Sequence, residues 1–272
     1  MTMQRGPSAI TPHTAIELVE TLPSFHLFAH IISAFARMGA AAHSREMCDA
    51  IQLDTSITAR FIGVANAAYY AAHDRLCSVE QAVLRLGQFR VQSLLIAIIL
   101  KQRFNPRLCA TFDARRYWLD AMLVAHCSVH VARALHRDDQ PQHCFTAGLL
   151  HSIGLLLLVV QAPTEMSLIL SQNEKTAAIR QMCGVDQYAL GSRLLSHWGV
   201  PDDLVIPIAQ LSGAPDHPDA RTLFLTKALV DHWYHGERLH GQATGLALNV
   251  QLKAWCDETF RELLDTVSLL VG

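Results

Sequence analysis

The sequence predicts an all-α fold, built as a multi-helix bundle. Apolar residues recur with the 3.6-residue spacing of an amphipathic helix in nearly every segment of the 272-residue chain. Residues that begin and end helices stand at the boundaries of these segments. No segment alternates apolar and polar residues as a strand does, and no Asn-Gly pair marks a hairpin turn. We therefore expect about a dozen helices and no sheet.

The first two helices are predicted from their starting residues. Thr11 followed by Pro12 is typical of a helix start, and Pro23 would end that helix. Asp54 can cap the next helix. The apolar face of this second helix consists of Ile57, Phe61, Val64, Ala65 and Ala68.

The segment from Ser78 to Gly87 carries the clearest helix signals of the chain. Ser78 and Gln81 form a capping box, in which each side chain can satisfy a free backbone N–H. Gly87 is placed to end the helix. The apolar stripe between the two ends consists of Val79, Ala82, Val83 and Leu86.

The C-terminal half is divided by short breaks between apolar segments. Pro201 with the two aspartates that follow it predicts a helix start after "HWGV". Breaks are expected near residues 38–43, 71–77, 102–112, 136–143, 171–175 and 212–220. The break at 102–112 is a candidate seam between two packed helical lobes, at about 15–105 and 113–235.

Composition indicates a folded protein without general affinity for nucleic acid or lipid. Apolar residues make up 51% of the chain and charged residues 17%, which disfavours long disordered tails. The net charge of −2 gives no general attraction to polyanions. The N-terminus lacks the apolar core of a signal peptide, and the apolar runs at 94–100 and 155–160 are far shorter than the roughly 18 residues of a membrane span. We therefore predict a cytoplasmic protein.

Neither the cysteines nor the short motifs indicate a disulfide framework or a familiar catalytic loop. The seven cysteines are Cys48, Cys77, Cys109, Cys127, Cys144, Cys183 and Cys256. Their odd number and the lack of C-x-x-C spacing favour buried, reduced thiols. The chain also contains no G-x-S-x-G, no P-loop and no G-x-G-x-x-G.

Two groups of histidines are candidates for metal binding. His126 and His130 stand four residues apart on a predicted helix, so both rings share one face, although no glutamate completes an H-E-x-x-H motif. The alternative is two partly buried histidines with ordinary hydrogen bonds. His232, His235 and His240 could form a second group, with a solvated helix end as the alternative.

Six segments come in an order that resembles a known family. They are "TLPSF" (21–25), "LDTSITARFIGVANAAYY" (53–70), "SVEQAVLRLG" (78–87), "YWLDAMLVA" (117–125), "FTAGLLHSIGLLLL" (145–158) and "LLSHWGVPDDLVIPI" (194–208). This order resembles HDOD domains, the HD-related output domains of bacterial signalling proteins. The resemblance includes the pattern LTARxLxxANSAxY, with Ala67 in place of the usual serine. It divides the chain into an extension at 1–14, an HDOD domain at 15–235 and a helical tail at 236–272.

The resemblance implies an all-helical domain distantly related to HD-type metal phosphohydrolases. Those enzymes hold one or two metal ions with a His-Asp pair, further histidines and an aspartate, and the ions activate water. HDOD domains are regarded as lacking this chemistry and as acting through protein contacts in signalling and gene regulation.

The ligand positions that the resemblance identifies are largely lost in this chain. His151 matches the histidine of the His-Asp pair, but Ser152 stands where the aspartate would be, and a neutral hydroxyl is a poor ligand for a hard divalent metal. Asp120 falls near an earlier histidine of the HD enzymes, and residues 209–213 lack the histidines common there. We therefore predict a degenerate HD pair, with His151 a core histidine bonded to backbone or a neighbour.

The prediction is a non-catalytic signalling module that needs no cofactor, acts on a regulatory protein partner and could form a homodimer. The alternatives are a phosphohydrolase or phosphodiesterase with an unusual metal set, drawn from His126, His130 and His151, and a small-ligand pocket at the same place. A nucleotide-sensing protein would need converging arginines, and the candidates are Arg85, Arg90 and Arg103. The tail could pack on the domain or dock a partner through its apolar face, which consists of Leu252, Trp255, Phe260, Leu263, Leu264 and Val267.

Overall fold

A computed structural model gives the fold for most of the chain. It describes residues 17, 19–22, 28–29, 31–33, 43–52, 55–68, 78–104, 106–136, 141–172, 174–236, 238–239, 243, 247 and 249–271. Within these residues there are thirteen α-helices with both ends described, two 3₁₀ turns and no strand, which confirms the all-α prediction.

The helices follow one another with short connections. The first four are α1 (His43–Gln52), α2 (Thr55–Ala68), α3 (Val79–Leu86) and α4 (Gln88–Arg103). The next five are α5 (Ala114–Ala134), α6 (Pro141–Leu150), α7 (Ile153–Gln161), α8 (Pro163–Leu170) and α9 (Lys175–Cys183). The last four are α10 (Gln187–His197), α11 (Asp202–Ala209), α12 (Pro218–His235) and α13 (Val250–Val271). The 3₁₀ turns are Pro106–Leu108 and Gln210–Ser212.

Local sequence signals place three of the described helix ends correctly, whereas the breaks that follow α6, α7 and α9 lie outside the predicted ones. The Ser78 hydroxyl accepts a hydrogen bond from the Gln81 N–H at 3.2 Å, as the capping box predicts. Gly87 ends α3 at φ 76°, a conformation that favours glycine. Pro201 precedes α11 as expected. The start at Thr11, the stop at Pro23 and the cap at Asp54 lie outside the described residues.

Helix α5 is the central element of the bundle. It packs against α6, α12 and α13, and α13 also contacts α2 and α4. Buried apolar residues from Val19 to Val267 form one continuous core, so the predicted division into two lobes is not confirmed. In the tail, Leu252, Leu263 and Val267 are buried, and α13 is therefore packed on the domain along much of its length.

Two glycines bring α7 and α10 into direct backbone contact. A Cβ added at Gly154 would lie 2.0 Å from the Gln187 carbonyl oxygen, and one added at Gly191 would lie 2.9 Å from the Gly154 nitrogen. Real atoms cannot approach this closely, so only glycine permits the observed helix spacing. This contact fixes the start of α10 beside the turn that joins α6 to α7.

The apolar segment Pro141–Gln161 is long enough to cross a membrane, and 78% of its most apolar window is buried inside the protein. It is the one such segment in the part of the chain that the structure describes. The helix is interrupted at His151 and Ser152, where α6 ends and α7 has not begun. These features are those of a core segment. The six described cysteines are buried free thiols, as predicted, and Cys77 lies outside the described residues.

Candidate functional site

The turn between α6 and α7 opens on a cavity of about 650 Å³. Its wall is formed by residues of α5, α7, α9, α10 and α12 together with His151 and Ser152 of the turn. His151 and Ser152 therefore lie at an open cavity with a largely polar lining, in the volume range of small-molecule sites.

His151 is held as a neutral ring with a fixed orientation. Its side chain is only 4% exposed. Nδ1–H donates to the Gly148 carbonyl oxygen at 2.6 Å, and the ring stacks on Tyr188 with 6.4 Å between centroids. Burial, aided by the positive charge of Lys227, lowers the pKa of His151 to about 4. Since the proton resides on Nδ1, Nε2 offers a lone pair to the cavity.

Ser152 forms a hydroxyl pair with a tyrosine of α5. Its side chain is hydrogen-bonded to the buried Tyr117, whose pKa is raised by burial despite this bond. Two neutral hydroxyls therefore lie next to His151 in the cavity wall.

Asp120 lies in the same cavity and is bonded to a residue that sequence reasoning placed elsewhere. The His235 ring, 19% exposed, contacts Asp120 Oδ1 through Nε2 at 2.9 Å. Arg116 Nη2 lies 3.1 Å from His235 Nδ1, and Arg116 Nε lies 3.8 Å from Asp120. Because a guanidinium can only donate, Nδ1 accepts and the proton on Nε2 is donated to Asp120. His235 is thus not a solvated helix end, and His240 lies outside the described residues.

A second acid in the cavity, Asp231, is paired with Lys227 one helical turn away on α12. Lys227 also approaches the hydroxyl of Tyr188, whose pKa is raised by burial. Each of the two carboxylates nearest His151 is therefore neutralised by a cation of the protein itself.

The N-terminus of α9 forms another part of the wall. Glu174, Lys175 and Thr176 line the cavity, and no side chain caps this helix. Gln187 donates from Nε2 to Thr176 Oγ1 at 2.9 Å, while its Oε1 is buried without a hydrogen-bond partner in the described structure. No sequence pattern had pointed to this region.

The two other candidate histidines lie outside the cavity. His126 lies against Phe145, with 5.0 Å between ring centroids, and 3.3 Å from Ser93 Oγ. Burial first, then the charge of Arg90, lowers the pKa of His126 to about 3. His130 packs on Trp255 of α13, and burial lowers its pKa as well.

The alternative metal set of His126, His130 and His151 is not brought together at the cavity, since His151 is the one of the three that lines it. Six residues separate Asp120 from His126 on α5, which turns the two side chains about 120° apart around the helix. Within the described residues, no three His, Cys, Asp or Glu side chains are placed to hold a metal ion. The three candidate arginines do not line the cavity either, and Arg90 is paired with Glu262 on α13.

Comparison with known proteins gives a family match and several structural neighbours. The family model described as HDOD domain matches residues 22–213. No curated protein matches the chain. A crystal structure of a protein from Marinobacter aquaeolei VT8, provisionally named for signal transduction, superposes with a TM-score of 0.77 and 22% identity over 96% of this chain. The chain covers only 65% of that longer protein.

Two further structures match nearly end to end. A provisionally named phosphohydrolase from Shewanella amazonensis SB2B gives a TM-score of 0.68 and 21% identity, over 94% of this chain and 97% of that one. An HDOD domain protein of unknown function from Geobacter sulfurreducens gives a TM-score of 0.68 and 18% identity. The match covers 95% of this chain and 98% of that one. The TM-scores show that these proteins share the helical fold of this chain.

Proposed function

The chain belongs to the HDOD family, and from this premise we propose that it is a regulatory module of bacterial signalling that acts through protein contacts without HD-type metal catalysis. The names of the structural neighbours point to both signal transduction and phosphohydrolysis. The choice between them rests on the residues of the cavity.

One observation carries the proposal: the two carboxylates nearest His151, those of Asp120 and Asp231, each face a cation of the protein. Asp120 accepts from His235 and faces Arg116, and Asp231 is paired with Lys227. A divalent ion there would have to displace these cations, because like charges at such distances repel strongly. Ser152 adds no charge to compensate. The donor set does not fit a catalytic metal, which needs at least three protein ligands.

His151 alone retains the orientation of a metal ligand, since its Nδ1–H donates to a carbonyl and leaves Nε2 free. This feature is what favours the alternative of a phosphohydrolase with an unusual ligand set. A single imidazole cannot both hold the ion and balance its charge, so the feature does not outweigh the paired carboxylates.

The contact role is supported by exposed apolar side chains beside the cavity. Leu108 is 80% exposed and Leu168 is 68% exposed. Their sequence neighbours are in contact, since Cys109 Sγ lies 3.3 Å from Ser167 Oγ. We propose that these two exposed side chains form part of the contact surface. We propose a cytoplasmic location for the module, and a homodimer is a further possible assembly to be measured by light scattering.

The test is the metal content of the purified, untagged chain, measured by plasma mass spectrometry. Wild type and His151→Ala should both carry far less than one metal ion per chain and should release no phosphate from phosphomonoester or phosphodiester substrates. Stoichiometric iron, manganese or zinc that is lost in His151→Ala would contradict the proposal. A gain-of-charge control, Ser152→Asp combined with Lys227→Met, should bind divalent metal more tightly than wild type.

A further inference from the structure

We propose that the cavity binds a small organic anion that also carries hydrogen-bond donors, of the class and size of a nucleoside monophosphate. The inference deepens the proposed function, because a ligand that is bound and not cleaved would be the input of the regulatory module. It assigns the site to residues of α9, α10 and the His151 turn.

Two largely buried side chains of the wall, His151 and Gln187, each carry an acceptor that has no hydrogen-bond partner within the described residues. His151 Nε2 carries no proton, since the proton resides on Nδ1. Gln187 is 8% exposed, and its Oε1 is buried without a partner while Nε2 is held by Thr176. A buried acceptor left unpaired costs about 1–3 kcal/mol. A ligand with an N–H or O–H donor would satisfy His151 Nε2.

The anionic part of the ligand is assigned to the start of α9. This helix has nine residues, and no side chain caps its first N–H groups. Free N–H groups and the positive end of the helix dipole attract phosphate. Lys175 adjoins them and has no ion-pair partner within the described residues, whereas Arg116 and Lys227 are already committed to Asp120 and Asp231.

Glu174 makes the sign of the ligand's charge testable. Its carboxylate lines the cavity directly before Lys175 and caps nothing. An anionic ligand is repelled by Glu174 and attracted by Lys175, and a cationic ligand has the opposite preferences. Neutralising either residue therefore reports the charge of the ligand without disturbing the core, since both side chains are exposed.

Size and wall chemistry favour a nucleoside over a smaller anion. The cavity of about 650 Å³ would be mostly empty around an amino acid or free phosphate. Leu155, Leu170 and Ile179 give it an apolar side. A flat base can lie against such a surface while an N–H group of the base or a ribose hydroxyl donates to His151 Nε2.

The experiment is isothermal titration calorimetry of the full chain with AMP, GMP, adenosine and inorganic phosphate at low ionic strength, where charge contributions are largest. AMP or GMP should bind with a Kd below about 1 mM. Adenosine alone and inorganic phosphate alone should each bind at least about tenfold more weakly. Lys175→Ala should weaken nucleotide binding about three- to tenfold, and Glu174→Gln should strengthen it about threefold. Lys101→Ala, exposed on α4 and away from the cavity, is the matched control and should leave the Kd unchanged.

His151→Phe should weaken binding while its thermal melt remains cooperative. Failure of both nucleotides to bind would overturn the inference, as would phosphate or adenosine binding as tightly as AMP, or inverted effects of Lys175→Ala and Glu174→Gln. The nucleotides recovered after titration should be intact by mass spectrometry. Release of phosphate would contradict the proposed function and leave the binding site standing, whereas absence of binding would overturn only the site.

Discussion

Two buried histidines lie on different sides of helix α5. His126, on α5 itself, has largely apolar neighbours, whereas His151, in the turn after α6, has polar ones. Towards α4 and α6, His126 is enclosed by Phe89, Phe145 and the Ser93 hydroxyl. Towards the cavity, His151 faces paired charges and hydroxyls. Burial is the main cause of the lowered pKa of both rings, to about 3 and about 4. A lowered histidine pKa therefore reports burial, and the open cavity beside His151 is what distinguishes the two rings.

The largest expected loss of folding stability comes from disrupting the backbone contact between α7 and α10, which supports the cavity wall. Gly154→Ala places a Cβ 2.0 Å from the Gln187 carbonyl oxygen, so α7 and α10 must separate. We expect a loss of about 3 kcal/mol or more in the free energy of unfolding, measured by urea denaturation. Gly63→Ala in α2, where nothing lies within 4 Å, is the control and should gain about 0.5–1 kcal/mol.

Next in size is the carboxylate that fixes the start of α10. Asp186 accepts from the N–H groups of Tyr188 and Ala189, from Ser212 at 2.7 Å and from Arg180 at 2.6 Å. Asp186→Ala should cost about 2–3 kcal/mol in thermal or urea unfolding. Asp202→Ala, in the exposed first turn of α11, should cost much less.

The same carboxylate predicts an acid dependence. Burial acts to raise the pKa of Asp186, but its hydrogen bonds and the charge of Arg180 outweigh burial and hold the pKa below the usual value. Its contribution is therefore complete above the unfolded pKa near 3.8 and is lost as pH falls through the folded pKa. The stability difference between wild type and Asp186→Asn should shrink in strong acid. A constant difference would contradict this account.

The two buried histidines predict a loss of folding stability that is smaller than the loss at Asp186 and that occurs at milder pH. Both folded pKa values lie below the unfolded value of 6.5, so each ring's contribution is complete above that pH and decreases as pH falls towards the folded values. Between pH 7 and 5 we expect about 1–2 kcal/mol of lost stability from each ring. His126→Phe should remove its share of this loss and remain as stable as wild type at pH 7. His151→Phe should remove its share too, with a cost at pH 7 from the lost bond to Gly148.

The smallest expected effect on folding stability comes from Asp120, whose charge belongs to the cavity wall. Asp120→Asn weakens the contacts with His235 and Arg116, which are partly exposed, and should change the free energy of unfolding by less than about 1 kcal/mol. Thermal melts of Asp120→Asn and of the remote control Arg85→Gln should therefore nearly coincide. A loss of several kcal/mol would mean that the cavity charges are structural.

Sequence reasoning succeeded where the determinants are local. The capping box of Ser78 and Gln81 acts within one turn, and the apolar period of α5 is read from adjacent residues. The family segments located His151 and Asp120, which line one cavity. The bond between His235 and Asp120 was missed because the two residues are 115 positions apart, and no spacing rule connects them. Gln187 and the open start of α9 were missed for the same reason.

The backbone contact between Gly154 and Gly191 has a mechanical consequence. Side chains between helices can rearrange and absorb small displacements, but two backbones in contact have no such compliance. The distance between the His151 turn and the start of α10 is therefore fixed by backbone contact. At the far end of α10, His197 donates to the Leu22 carbonyl oxygen, so one helix joins the turn to the N-terminal segment.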